Sequence, residues 1–393
     1  MKKKATMAAL LAGAGALAPA IGAASTPPDT EPASTEAASE GSAPAAAGGE
    51  FTPPDLSEVC PETIVIQTDW FPEGEYGATY GLLGPDYEVN ADDKIVSGPL
   101  YSHGEPTGVN VEVRSGGPAI GVDLETEFYS DDSITFAYGT TDGQILSWNN
   151  TPLLSVVAPL EINPQIIMWD PETYPDVETL ADLGEQDVVI NLFGGVTFGQ
   201  IFVADGTWSE DQVDPSYDGG PTRFIAEDGA IAQQGYASSE PFAYEHIFTD
   251  WGKPVAYQLI HDAGFQVYQS TLAIRPDDLE TLRPCLELFV PVVQQSAVDY
   301  IADPSATNAA IVDIVEQYDN FWEYPAELAE YSAQTQAELG LTGNGDDDTL
   351  GNLDGERIEG VLTQMRDAGL EVPEDLTADQ LFTNEFIDES IGA

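Results

Sequence analysis

Residues Ile64–Tyr80 read IVIQTDWFPEGEYGATY, an apolar run passing through an aromatic turn into small residues. Ile64, Val65 and Ile66 are apolar and β-branched, the composition of a short buried strand. Asp69, Trp70, Phe71 and Pro72 end that strand. Glu75 to Leu83 then has the length and small-residue content of one or two helical turns. Ligands of open α/β sheets sit off the carboxyl edge of the strands. Asp69, Trp70 and Tyr76 are therefore candidate ligand-binding residues on one wall of a small-molecule cleft. The opposite wall is expected near Gly194–Thr197 and Ser239–Tyr244.

Outward from this stretch, strands and helices alternate. Strands are expected at Thr63–Gln67, Val109–Arg114, Ser133–Ala137 and Leu153–Pro159. A second set follows at Ile166–Trp169, Val188–Phe193 and Gln234–Ala237, then Val255–Ile260 and Val267–Arg275. The rhythm is βαβ, which favours a mostly parallel sheet with buried strands. After Arg275 the helical pattern takes over, at Asp277–Ile301, Asn308–Tyr318, Ala326–Leu339 and Gly355–Ala368. Two α/β lobes emerge, with the chain crossing outward at Val157–Asn163 and back at Tyr257–Tyr268. Residues 59–158 and 260–393 are expected to form lobe 1, and residues 159–259 lobe 2. A cleft between hinged lobes is a standard place for a ligand.

Three strand-end turns repeat one arrangement. Ser115, Gly116 and Gly117 follow Arg114; Thr140, Thr141 and Asp142 follow Ser133–Ala137; Gly194, Gly195, Val196 and Thr197 follow Val188–Phe193. Glycine there permits close backbone approach, and a helix start offers free N–H groups. Gly116, Gly117, Thr141, Gly195 and Thr197 join the candidate ligand-binding set. Glu240 and Tyr244 join it from Ser238–Tyr244, where Pro241 suits a first helical position. Glu240 can accept from an amino group, or serve as an N-terminal helix charge.

The chain carries 69 acidic and 11 basic residues, a formal charge of −58. Nucleic acid and anionic lipid are both repelled by such a balance. Residues 1–24 join three lysines to an apolar Ala/Leu/Gly run and small residues, a secretory signal pattern. Its removal leaves a charge nearer −61. Residues 25–58 are rich in Ala, Pro, Ser, Thr, Glu and Gly and read as a disordered linker. An exported, extracellular, periplasmic or cell-surface protein follows. No cysteine sits near the leader's end to carry a lipid. The two cysteines, Cys60 and Cys285, are expected to bridge in an oxidising compartment. His103, His246 and His261 are scattered without metal-ligand spacing, so no metal and no cofactor is expected. The acidic run Asp346–Asp348 with Asn352 and Asp354 misses calcium-loop spacing and reads as a solvated loop.

The ordered motifs resemble a known group, the solute-binding proteins of ABC importers. Within it the likeness is to the class that binds the thiamine pyrimidine precursor, taurine, alkanesulfonates and nitrate. Thr68-Asp69-Trp70-Phe71-Pro72 with Glu75 and Tyr76 resembles the D-W-x-P-N-x-x-H opening of the pyrimidine-precursor branch. Here Glu73 stands in place of asparagine and Tyr76 in place of histidine. Gly194–Thr197 resembles the turn before the second-lobe helix. Gly235-Tyr236 through Ser239-Glu240-Pro241 resembles a G-Y-x-x-x-E-P segment, and Leu381–Phe386 a closing Y-x-N-x-x-F element. The resemblance covers roughly residues 62–387.

It implies a two-lobed type II periplasmic binding protein fold with central mixed sheets, hinge crossovers and a helical C-terminal extension. It also implies closure on a ligand and docking of a monomer on an ABC permease. Carboxylates without nearby cations favour a planar, N–H-bearing, aminopyrimidine-like ligand, stacked on Trp70 and Tyr76. A sulfonate or nitrate would need Arg114 and helix N-termini as donors. Related fungal enzymes make the pyrimidine and carry a cysteine-rich motif that this chain lacks. A binder rather than an enzyme is the expectation, with heterocycle chemistry the alternative.

Overall fold

The computed structural model describes residues 51–393; the leader and the linker up to residue 50 lie outside them. In chain order the strands are β1 Thr63–Gln67, β2 Glu88–Asn90, β3 Ile95–Ser102, β4 Glu105–Arg114, β5 Phe136–Gly139 and β6 Leu154–Val157. Then come β7 Gln165–Trp169, β8 Ile190–Asn191, β9 Val213–Asp214, β10 Ala232–Tyr236, β11 Ala256–Leu259 and β12 Thr271–Ile274. They build two sheets. The first runs β2-β3-β4-β1-β5-β12-β6 and the second β11-β7-β10-β8-β9.

Both sheets are mixed rather than mostly parallel. β1 lies parallel to β4 and β5 at the centre of the first sheet. β12 arrives from the second sheet and pairs antiparallel with β5 and β6. The β3–β4 hairpin was absent from the sequence reading, because Gly98 and Pro99 interrupt its alternation. Its turn places both His103 and Gly104 at positive φ, 51° and 79°. That is the two-residue geometry that matches strand twist. The chain leaves the first sheet after β6, enters the second at β7, and returns between β11 and β12.

Ile64, Ile66, Val111, Val113 and Phe136 bury one face of the first sheet against Leu286, Phe289, Val290 and Val293 of helix Leu279–Ala302. Helices Ser305–Tyr318 and Ala326–Glu338 close the same core through Ile311, Ile314, Leu328 and Ala329. Helix Gly355–Asp367 behaves differently. Its Ile358, Val361, Leu362 and Met365 pack with Trp169, Leu183 and Phe198 of the second lobe. This helix thus shares a core cluster with second-sheet residues, although residues 260–393 were expected to pack with lobe 1. An amphipathic helix announces that one face is buried without saying against what. Arg357 anchors this helix to the returning crossover. It donates to the carbonyls of Gln266 at 2.6 Å and Val267 at 3.0 Å and pairs with Glu161 at 2.8 Å, its guanidinium 3.7 Å from the Tyr268 ring centre.

The ordered chain also begins earlier than the composition of residues 25–58 suggests. Leu56 is fully buried, and its N–H donates to Thr107 O at 2.8 Å. Cys60 is bonded to Cys285, with Cα atoms 4.6 Å apart and 225 residues between them in sequence. The bond ties the segment before β1 to the long helix behind the sheet. Replacing both cysteines by alanine should lower stability by up to about 5 kcal/mol through the freed loop entropy of the unfolded chain. Denaturant melts of the oxidised, reduced and double-alanine proteins check this.

Candidate functional site

The carboxyl end of β1 is fixed by one side chain. The Thr68 hydroxyl donates to Trp70 O at 2.6 Å and lies 3.1 Å from Arg114 O, while the Thr68 N–H donates to Arg114 O at 2.9 Å. This turns Asp69 and Trp70 out of the sheet. Gly116 N–H donates to Trp70 O at 3.1 Å. A Cβ at Gly116 would fall 2.1 Å from Thr68 O, and one at Gly117, where φ is +55°, would fall 2.5 Å from the Trp70 ring. Gly116 and Gly117 thus support the tryptophan from behind and do not line the cavity.

A cavity of about 110 Å³ lies in front of that turn, between the lobes. The first lobe contributes Asp69, Trp70, Glu73, Glu75 and Tyr76. The second contributes Phe193, Tyr217, Gly219, Gln234, Gly235, Tyr236, Ser239 and Glu240, and the helical tail adds Trp322. Trp70 meets Trp322 edge-on at 5.9 Å and Phe193 at 6.5 Å between ring centres. Trp322 is oriented by its indole N–H, which donates to Pro72 O at 3.1 Å. Phe193 is held by its N–H donating to Gln234 Oε1 at 3.1 Å and by Tyr217 at 4.6 Å between ring centres.

Four carboxyl groups face this space, and no lysine, arginine or histidine is among its lining residues. Three have donors. Tyr76 Oη donates to Asp69 Oδ1 at 2.6 Å. The Ser238 hydroxyl donates to Glu75, joining second lobe to first at the cleft floor. Tyr236 N–H donates to Glu240 Oε2 at 2.6 Å. Glycine is required at 235, because a Cβ there would press within 2.7 Å of the Glu240 side chain. Burial raises the pKa of Asp69 and Glu75, and their hydroxyl donors only partly oppose it. Burial also lifts Glu240 to about 7. Glu73 is driven well above its usual range by burial, then by repulsion from Glu75, Asp69 and Glu240.

Of the ten candidate ligand-binding residues, Asp69, Trp70, Tyr76 and Glu240 meet in this cavity. The others do not line it. Thr141 pairs with Tyr268 across the crossover, its N–H donating to Tyr268 O at 3.0 Å and its hydroxyl accepting from Tyr268 N–H at 3.1 Å. Gly195 sits at φ +87°, and Thr197 is buried at the start of helix Thr197–Ala204. Tyr244 is buried against Phe224, its hydroxyl accepting from Gln233 Nε2 at 2.8 Å. Arg114 is committed to Glu112 at 2.7 Å and Asp131 at 2.8 Å, outside the cavity. The sequence did signal Glu73, Glu75 and Tyr236 through the motifs that hold them. Tyr217 and Trp322 carried no local signal.

This architecture is that of the two-lobed type II periplasmic binding proteins. The nitrate-binding protein of Synechocystis PCC 6803 superposes with a TM-score of 0.53 at 12% identity, over 85% of this chain and 88% of that one. The alkanesulfonate-binding protein of Xanthomonas axonopodis pv. citri gives 0.52 at 11%, over 82% and 98%. A Bordetella bronchiseptica RB50 protein gives 0.53 at 12%, over 83% and 96%. The likeness is one of fold. No protein-family model matches the sequence, and no curated protein matches it.

The raised carboxyls set a pH dependence. With Glu240 moved from the usual 4.5 to about 7, the closed protein holds a proton that the unfolded chain releases. Its stabilising contribution is complete below about pH 4.5 and is lost as pH rises through about 7. The ligand-free protein should therefore lose melting temperature across that interval, and Glu240→Gln should flatten the loss. Calorimetric melts of both proteins from about pH 4.5 to about pH 8 measure it.

Proposed function

We propose that this chain is the exported solute-binding component of an ABC importer, closing on a small, planar, nitrogen-bearing metabolite of aminopyrimidine type. The carrying observation is the composition of the inter-lobe cavity, with aromatic walls and four carboxyl groups without a basic residue. Indole and phenol rings stack on a flat heterocycle, and carboxylates accept from its amino and ring N–H groups. A cavity of about 110 Å³ suits one ring rather than a dinucleotide or a peptide.

Binding without chemistry is part of the proposal. The lining holds carboxyls, phenols, indoles and the Ser239 hydroxyl, with no histidine or lysine among them to activate that hydroxyl or to form a carbonyl adduct. Closure is provided for by the two crossovers, by the contact of Ser238 with Glu75, and by Tyr331 Oη donating to Ala237 O at 3.1 Å. Export is supported by the leader pattern and the disulfide.

The nitrate- and alkanesulfonate-binding proteins of the same fold make an oxyanion the second reading. It would need donors other than Arg114, whose guanidinium is already paired. Mass spectrometry of metabolites retained by the purified protein, followed by calorimetry, decides between the readings. Trp70→Ala should weaken binding of the retained metabolite at least tenfold while the ligand-free melt shifts by only a few degrees. Unchanged affinity would remove Trp70 from the site. Stabilisation by nitrate or an alkanesulfonate, with none by aminopyrimidines, would replace the first reading by the second.

A further inference from the structure

Glu73 differs from the other three carboxyls of the cavity. Asp69, Glu75 and Glu240 each accept a hydrogen bond from Tyr76, Ser238 and Tyr236 respectively. Among the described residues no donor reaches the Glu73 side chain, and only burial and carboxylate repulsion act on its ionisation. It lines the cavity together with Trp70, Trp322, Phe193 and Tyr217. Glu73 is half-buried on this wall, where a carboxylate without a partner is disfavoured unless a counter-ion arrives. Aromatic faces in turn attract cations, most strongly where water is excluded.

We infer that the cavity takes its ligand as an organic cation, with the Glu73 carboxylate as the counter-ion of the charged nitrogen and the surrounding rings as its cage. The inference rests on the binding reading above and names the charge of the ligand. The class is a compact monocation, such as an amidinium, a protonated aminoheterocycle or an alkylated ammonium. The alternatives are disfavoured on the same grounds. A neutral ligand would leave Glu73 to hold its own proton, and an anion would add a charge to four carboxyls already crowded together.

Benzamidine, benzamide and benzoate share one shape and carry charges of plus one, zero and minus one near neutral pH. With tetramethylammonium as a second cation, they test the charge preference by thermal shift and calorimetry on the disulfide-bonded protein. Benzamidine should bind at least tenfold more tightly than benzamide, and benzoate should give no shift. In Glu73→Gln the preference for benzamidine over benzamide should collapse to within a few-fold, whereas Glu73→Asp should keep part of it. The same Glu73→Gln change removes a half-buried carboxyl that its neighbours disfavour in the ionised form, so the ligand-free melt should rise while cation affinity falls. A folding defect would instead lower both.

Benzoate binding as tightly as benzamidine, no binding by either cation, or a charge preference that survives Glu73→Gln overturns the assignment. The binding reading fails separately, when no metabolite is retained and no member of a pyrimidine, sulfonate and nitrate panel stabilises the protein.

Discussion

Four carboxyl groups from two lobes share one enclosed space without a basic side chain, and the rest of the molecule is arranged around that repulsion. Burial raises all four above their usual range, so the site disfavours having all four ionised together. The structure answers in part with donors, one hydroxyl or amide for each of Asp69, Glu75 and Glu240. Glu73 is left to a proton or to an incoming positive charge.

The scaffold that holds these groups is rigid where it must be. Asp69 and Trp70 leave the central strand through a turn fixed by Thr68, and the ring of Trp70 rests on a glycine backbone that admits no side chain. Tyr76 lies in a short buried helical turn, where Gly74 N–H donates to Tyr324 Oη at 2.9 Å and Gly77 lies against the Tyr300 ring. The second-lobe wall is the end of β10, whose close passage by Glu240 depends on Gly235. Asp69, Glu75 and Glu240 are thus each placed by a backbone or side-chain donor, which limits the entropy lost on binding.

The lobes are joined by more than the crossovers. Arg357 ties a tail helix to the returning strand, and that helix fills the core of the second lobe. Trp322, from the loop between two tail helices, closes the front of the cavity. The C-terminal region therefore contributes both to the cavity and to the core of the second lobe.

The opening strand and the long tail helices were legible from the sequence because they are local. β1 has the limits its apolar run suggests, and the tail helices lie close to where their periodicity puts them. Asp69, Trp70, Tyr76 and Glu240 were legible because strand ends and short motifs mark them. The β3–β4 hairpin was not, since Gly98 and Pro99 break its alternation. Nor were the helix partners, since amphipathicity specifies a buried face and not its contact. Gly195 and Thr197 looked equivalent to other strand-end turns, but Thr197 is buried at its helix start and neither residue lines the cavity. Tyr217 and Trp322 reach the cavity across more than a hundred residues of chain separation from Trp70. Only packing brings them there, because convergence of distant side chains on one space is a property of the folded backbone and leaves no trace in any local window.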